Sequence, residues 1–363
     1  MYKFSSKQKS FFRTELLNWS KAFPRALPWV GEKDPYLIWL SEIILQQTRV
    51  QQGMPYFEKF KQKYPTVKDL ANTPEDDLMK SWEGLGYYSR ARNLHFSAKL
   101  IANERNGVFP TCYEDIRALK GVGDYTAAAI ASFAFDLPYA VVDGNVYRVL
   151  SRFFGITDPI DVNKSKKQFA ALAQELLADA PPASYNQAIM DFGAVQCTPK
   201  SPSCTTCPLQ KNCQASQKNM VKNLPVKSKK IVKKTRYFNY LVLNIGTDVL
   251  ISKREQRDIW RNLYEFLLLE TDAMKTQEEL VTLASWKTLF PDTSPEINRV
   301  SKPFKQQLTH QTIIAQFWEI TLNESSFSKI IGYIRINREN LSNFAFPKLF
   351  DWYLQDNSLY LDL

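Results

Sequence analysis

The chain has 363 residues, 44% hydrophobic and 23% charged, and 47 Lys+Arg against 37 Asp+Glu give a formal net charge of +10. That length accommodates two domains with separate cores, and the basic excess favours a polyanionic partner, most simply nucleic acid. No run approaches the apolar length of a membrane span, and the N-terminal MYKFSSKQKSFFRTELL has neither the apolar core nor the cleavage site of a secretory signal; a cytoplasmic protein without a membrane partner is expected.

Residues 1–215 read mainly as helices. Asp34-Pro35 is a helix start, Asp capping the free N–H groups and Pro fitting the first turn, and Leu37, Leu40, Ile44 and Leu45 follow at helical spacing through Gln47. Similar patterns predict helices over 67–82, 90–104, 113–119, 124–135, 145–153, 164–179 and 184–193. Few segments alternate with period two, which predicts an all-α first domain. Residues 217–236 carry eight Lys or Arg and few large apolar side chains, the composition of an exposed basic linker that either is merely solvated or also touches phosphates. Beyond it, Tyr237–Ile245, Val249–Lys253 and Thr312–Leu322 read as strands and Pro347–Leu354 as a closing helix, so the second domain is expected to be α+β.

Four constellations could carry chemistry. Cys197, Cys204, Cys207 and Cys213 read C-x6-C-x2-C-x5-C, and thiolates this crowded repel unless a cation holds them. One C-x2-C pair with wider arms suits a [4Fe-4S] cluster better than zinc, and disulfides lack a secretory context. In Leu119–Ala129, Gly121 and Gly123 make a tight turn into a helix, a pattern by which a hairpin grips a DNA backbone without reading sequence. In Val141–Val149, Asp143 or Asn145 is either a helix cap or a carboxylate site at a helix mouth facing a cleft. Glu42 sits between apolar neighbours; buried, it would be an acid of raised pKa, and on the outer face an ordinary solvated side chain.

LSEIILQQTRV at 40–50, WEGLGYYSRARNLH at 82–95, LKGVGDYTAAAIASFAF at 119–135, VVDGNVYRVLSRFFG at 141–155 and the four cysteines together resemble the MutY family, adenine DNA glycosylases of the helix-hairpin-helix superfamily. The resemblance covers nearly all of 7–215 and, more loosely, the rest. It implies a helix-hairpin-helix glycosylase domain over 1–216 with a [4Fe-4S] cluster loop at 197–213, a linker over 217–236 and a Nudix-like lesion-recognition domain over 237–363. By resemblance the partner is double-stranded DNA holding 8-oxoguanine:A or G:A mispairs, bound by a monomer in a bacterial-type, nucleoid-associated setting. The adenine is flipped out and removed.

Carried over by motif, Glu42 is the general acid for adenine N7, Asp143 stabilises the oxocarbenium-like sugar or bonds to it, and Tyr125 and Asn145 support both. Trp29, Val30 and Gln187 flank the adenine pocket. Gln47, Thr48, Leu85 and Tyr87 fill the gap and hold the lesion, and Thr309 and His310 read the oxidised base. Arg90 and Arg92 either touch phosphates or lie on a solvated helix face, and Lys200 and Lys211 of the cluster loop face DNA. His95 is expected to pack on a helix, and Ile259–Phe266 to pack in the core.

Tyr125 stands where endonuclease III-like glycosylase/lyases, the alternative reading, place a Schiff-base lysine, so an enzyme without lyase activity is expected. A DNA-binding cluster protein without catalysis is the third reading. No Nudix hydrolase box with its carboxylate ladder is present, which argues against nucleotide hydrolysis. Val30, Gln187 and Leu308 depart from the commoner family residues, and the first two remove charge from the pocket.

Overall fold

Proline and capping residues set where the helices of this chain begin. The computed structural model describes residues 2–228, 232–291, 295–324 and 332–356. Helix α1 (Ser6–Ala22) starts at Ser5, whose hydroxyl accepts from Gln8 N. Helix α2 (Pro35–Leu45) starts at Asp34, whose carboxylate accepts from Tyr36 N at 2.9 Å. It ends short of the expected Gln47, which adopts a left-handed φ of 57°. Helix α3 (Val50–Lys63) follows. The stretch expected as one helix over 67–82 is two, α4 (Val67–Asn72) and α5 (Glu75–Trp82), because Pro74 has no N–H to continue the ladder and caps α5 instead. Helices α6 (Ser89–Glu104), α7 (Tyr113–Ala118), α8 (Asp124–Phe135), α9 (Gly144–Phe154) and α10 (Asn163–Leu177) lie close to their expected ranges. Helix α11 (Pro182–Asp191) passes into a π-helical turn, Phe192–Gln196, that delivers the chain to Cys197.

The chain divides into two units, Met1–Asn72 with Asn93–Lys230, and Thr73–Arg92 with Ile231–Leu363. In the first, every residue of α2 from Tyr36 to Ile44 is buried. A helix enclosed on all sides is a core element, so Ser41 and Glu42 are buried with it. The Ala-rich α8 buries Thr126 through Ser132. Val149, Leu150 and Phe153 of α9 join Phe12 and Leu16 of α1, Phe169 of α10 and Ile189 of α11 in one apolar cluster.

Residues after Cys213 are not a free connector. Helix α12 (Gln214–Gln217) is followed by a segment whose Val221 and Leu224 carbonyls accept from Arg152, and Ile160 N donates to Val226 O. Leu224 is buried.

The second unit is built on a mixed sheet. Strand β1 (Lys234–Ile245) pairs in parallel with β7 (Gln311–Thr321) along its whole length. On its other edge β4 (Leu267–Thr271) pairs with Tyr237–Leu241 and β2 (Asp248–Lys253) with Asn244–Ile245. The free edge of β7 is shared by β5 (Ile297–Val300) and β6 (Phe304–Gln307), while β2 also pairs with β8 (Ile334–Asn337) and the short β3 (Tyr264–Glu265). Helices α13 (Gln277–Thr282) and α14 (Ala284–Leu289) bring Leu280 and Trp286 onto Leu241, Leu243 and Trp318. The closing helix α15 (Lys348–Leu354) places Phe350 and Tyr353 against Phe266 and Phe317. Within Ile259–Phe266, Trp260, Leu263, Tyr264 and Phe266 are buried. Among the described residues no helix is long and apolar enough to cross a membrane.

Gly155 ends α9 at a left-handed φ of 68°, and a Cβ there would stand 2.8 Å from the Gln214 Cβ. Gly155→Ala is expected to lower stability by about 1–2 kcal/mol, read as a lower denaturant midpoint at unchanged slope.

Candidate active site

Three helices each deliver side chains into one cleft of about 900 Å³ in the first unit. From α2 comes Glu42, from the start of α8 Tyr125, and from the mouth of α9 Asp143 with Asn145. Trp29, Val30, Gln47, Thr48 and Gln187 line the same cleft. The structure thus brings together nine of the residues singled out from the sequence, drawn from segments far apart in the chain.

Asp143 fills both roles. One carboxylate oxygen caps α9 by accepting from Val146 N at 2.8 Å, and the other accepts from Asn145 Nδ2 at 2.7 Å. Burial raises its pKa, and these two donors oppose the rise. Glu42 has no such backbone supply. Burial lifts its carboxyl to about 7, the hydrogen bond with Tyr125 opposes this, and the Asp143 charge adds to it. Burial, with both carboxylates nearby, holds the Tyr125 hydroxyl far above its ordinary value, so it remains a donor. The Tyr125 hydroxyl also lies 3.5 Å from Met190 Sδ. Both carboxyls in the cleft are thus raised by burial, Asp143 against two opposing hydrogen-bond donors and Glu42 against Tyr125 alone.

Residues not singled out from sequence hold this site. Arg148 Nη2 donates to Asn145 Oδ1 at 2.7 Å and to Gly193 O at 2.6 Å, and its Nε donates to Cys197 O at 2.7 Å. One turn on, Arg152 donates to Thr198 O at 2.7 Å and reaches Cys197 Sγ at 3.4 Å. Both arginines are buried. Their only sequence signal is the four-residue spacing that puts them on one face of α9, and a solvated face gives the same pattern.

Cys197, Cys204, Cys207 and Cys213 line one small cavity with Arg152. No disulfide joins them. Burial and neighbouring sulfurs raise Cys204 and Cys213, and push Cys207 to about 12. Arg152 opposes the rise at Cys204 only in part, and a metal centre is the kind of charge that ionises thiols placed this way. Among the described residues no three His, Cys, Asp or Glu side chains converge closely enough to hold one metal ion. The four thiols line one cavity, a soft donor set of the kind that thiolate-bound metal centres use.

The hairpin lies between α7 and α8. Gly121 takes a φ of 86° with Asn93 packed beneath it, and Gly123 opens α8 with nothing within 4 Å of where a Cβ would be. Lys200 and Lys211 are exposed in the cysteine loop.

Leu85, Tyr87, Thr309 and His310 belong to the second unit. Tyr87 adopts a left-handed φ of 48°, and its hydroxyl hydrogen-bonds Thr309 Oγ1 in the turn between β6 and β7. His310 is exposed, whereas Leu85 is buried. Arg90 neither lies on a solvated face nor is available to phosphate: it is buried and donates to Leu85 O and Gly86 O, bracing the turn. Arg92 donates to Arg261 O at 2.6 Å. His95 is buried on α6.

Residues 40–178 match the HhH-GPD superfamily of base excision DNA repair proteins, and residues 239–356 match the NUDIX domain. A thermostable thymine-DNA glycosylase is 32% identical with a TM-score of 0.55, covering 58% of this chain and 98% of its own. Endonuclease III in a non-covalent DNA complex shares the fold, at 24% identity and a TM-score of 0.51 over 61% of this chain and 99% of its own. Fold and cleft thus define a helix-hairpin-helix base excision repair protein joined to a NUDIX domain. The adenine DNA glycosylase of Buchnera aphidicola subsp. Baizongia pistaciae is 34% identical over 93% of each chain, and the human one is 42% identical over 57% of this chain and 40% of its own. The chain belongs to the adenine DNA glycosylase family.

The raised carboxyl of Glu42 also has a stability signature. Between the ordinary carboxylate value of 4.5 and about 7 the folded state holds a proton that the unfolded state has lost. Stability from this group therefore falls as pH rises through that window, by up to roughly 3 kcal/mol. Glu42→Gln removes the dependence, so its stability relative to the parent chain should be greater at pH 8 than at pH 5, measured by urea unfolding at both.

Proposed function

We propose that this chain removes adenine paired with 8-oxoguanine, and from G:A mispairs, by hydrolysing the N-glycosyl bond and leaving an abasic site. The observation that carries the reading is the cleft in which Glu42, Tyr125 and Asp143 meet. The flipped adenine enters this cleft. Glu42, protonated up to about pH 7, gives its proton to adenine N7. The C1′–N9 electron pair then leaves with the base as neutral adenine. The sugar is left as an oxocarbenium-like cation beside Asp143, whose carboxylate is oriented by Asn145 and the α9 N-terminus. Water adds at C1′ and gives its proton to the Glu42 carboxylate, which restores the acid. Tyr125 holds Glu42 and offers no amine for a Schiff base.

Lesion recognition is assigned to the second unit. The bond between Tyr87 and Thr309 joins the two segments that the family resemblance gives to 8-oxoguanine, and both side chains are exposed. Gly121 and Gly123 would hold a backbone phosphate at the hairpin.

The cysteine cavity would hold a [4Fe-4S] cluster through Cys197, Cys204, Cys207 and Cys213. When bound, the cluster supplies a cationic core that ionises the four thiols and fixes the loop. Arg148 and Arg152 meet that loop on the side of α9.

Single-turnover excision on an 8-oxoguanine:A duplex labelled on the adenine strand tests the reaction. Strand breaks are expected only after alkali, and loss of turnover but not of DNA binding in Glu42→Gln. Breaks without alkali would instead implicate an amine such as Lys21, which lines the cleft. At subsaturating enzyme the rate should fall as pH rises through about 7 and Glu42 loses its proton, and fall again at acid pH as Asp143 gains one. For the cysteine site, purified protein should carry iron and acid-labile sulfide in equal amounts, with Cys204→Ala losing both; zinc in their place would reject the cluster.

A further inference from the structure

One wall of the cleft carries a buried charge that the reaction above does not use. Asp191, the last residue of α11, is 5% exposed. Its Oδ1 accepts from Arg25 Nη1 at 2.7 Å and its Oδ2 accepts from Gln187 Nε2 at 2.8 Å. Arg25, Gln187 and Asp191 all line the cleft. A carboxylate paired with a guanidinium can only accept hydrogen bonds, so the atom of Gln187 turned toward it must be the amide nitrogen. The carbonyl oxygen of Gln187 is then the end left for the cleft, and no described group donates to it.

Resting on the reading that adenine enters this cleft, we propose that Asp191, locked by Arg25, is a positioning residue that fixes the polarity of the Gln187 amide and so selects a base by its exocyclic group. Adenine presents an amine at C6, a donor that the Gln187 oxygen accepts. Guanine and hypoxanthine present a carbonyl at C6 instead. Two oxygens facing each other leave both sets of lone pairs unpaired away from water, which penalises those bases. A free glutamine amide would turn over and accommodate either group. The carboxylate removes that freedom, because the turned amide would set oxygen against oxygen at Asp191 as well. Selection thus needs no charge on Gln187 itself, and it compensates for a pocket rim that carries neutral Val30.

The test is single-turnover excision from duplexes with adenine or hypoxanthine at the same site, for the parent chain, Asp191→Asn, Gln187→Met and the double variant. Asp191→Asn keeps the shape but can donate to a turned amide. Its adenine-to-hypoxanthine rate ratio should fall about tenfold or more. Gln187→Met removes the polar end and should lower the ratio similarly. The double variant should fall no further than Gln187→Met, because the two residues act through one contact. A ratio unchanged in Asp191→Asn while both rates drop together would make Asp191 a structural bridge and overturn the inference, as would independent, additive effects in the double variant. If Asp191→Asn fails to fold, Gln187→Met alone decides: an unchanged ratio there refutes amide-based selection, and a lowered ratio supports it. A parent chain that leaves adenine in place would overturn the glycosylase reading itself, and this inference with it.

Discussion

Two carboxylates share one cleft, and the difference in what each receives from the backbone governs the site. Asp143 sits at a helix mouth, where an N–H of the first turn and a neighbouring amide supply its hydrogen bonds. Glu42 sits in the middle of a core helix, where the backbone donors are already used within the helix and only Tyr125 reaches it. The same burial therefore raises both carboxyls, Glu42 to about 7, while the donors around Asp143 oppose its rise. Position matters for both: one residue along α2 a carboxyl would still be buried but would no longer stand where Glu42 meets Tyr125, and within α9 Asp143 would lose its cap.

The scaffold serves that arrangement. α2 is enclosed, so Glu42 is buried and reaches only the cleft. α8 is made of small residues, which lets it lie close while presenting Tyr125 at its first turn. α9 carries the cap at one end and two buried arginines along one face, and these arginines tie the carbonyls around Cys197 to the same helix that orients Asp143. The π-helical turn after α11 makes the tie possible. It brings the Gly193 carbonyl to Arg148, and a Cβ on Gly193 would stand 2.7 Å from the Asn145 Cβ. The cysteine loop and the carboxylate cleft are thus joined through short, buried hydrogen bonds rather than through a flexible connector.

Helix starts such as Asp34-Pro35 and the Gly-Asp of Gly123-Asp124 were legible because they act locally, through caps and fixed dihedrals. The break at Pro74 was written in the sequence and was overridden by the apolar periodicity on either side of it. Short strands such as β3 and β8 escaped because a few residues of alternation carry no signal until a partner strand gives them a face. Arg90 shows the limit for charged residues: a basic side chain on a helix reads as solvated or phosphate-facing, and only the fold shows it turned inward to brace the turn that carries Leu85.

The sequence by itself determined which residue types were available and the family they spell: one acid in an apolar helix, one acid at a helix start, a glycine hairpin and four close cysteines. Those are local facts of spacing and order, and they survive any packing. The tertiary structure alone decided that Glu42 is buried rather than solvated, that Asp143 both caps α9 and lines the cleft, and that Asp191, Arg25 and Gln187 meet on one wall. The reason is physical. Desolvation and hydrogen-bond direction depend on neighbours brought from distant parts of the chain, and one sequence pattern is compatible with either face of a helix until those neighbours are in place.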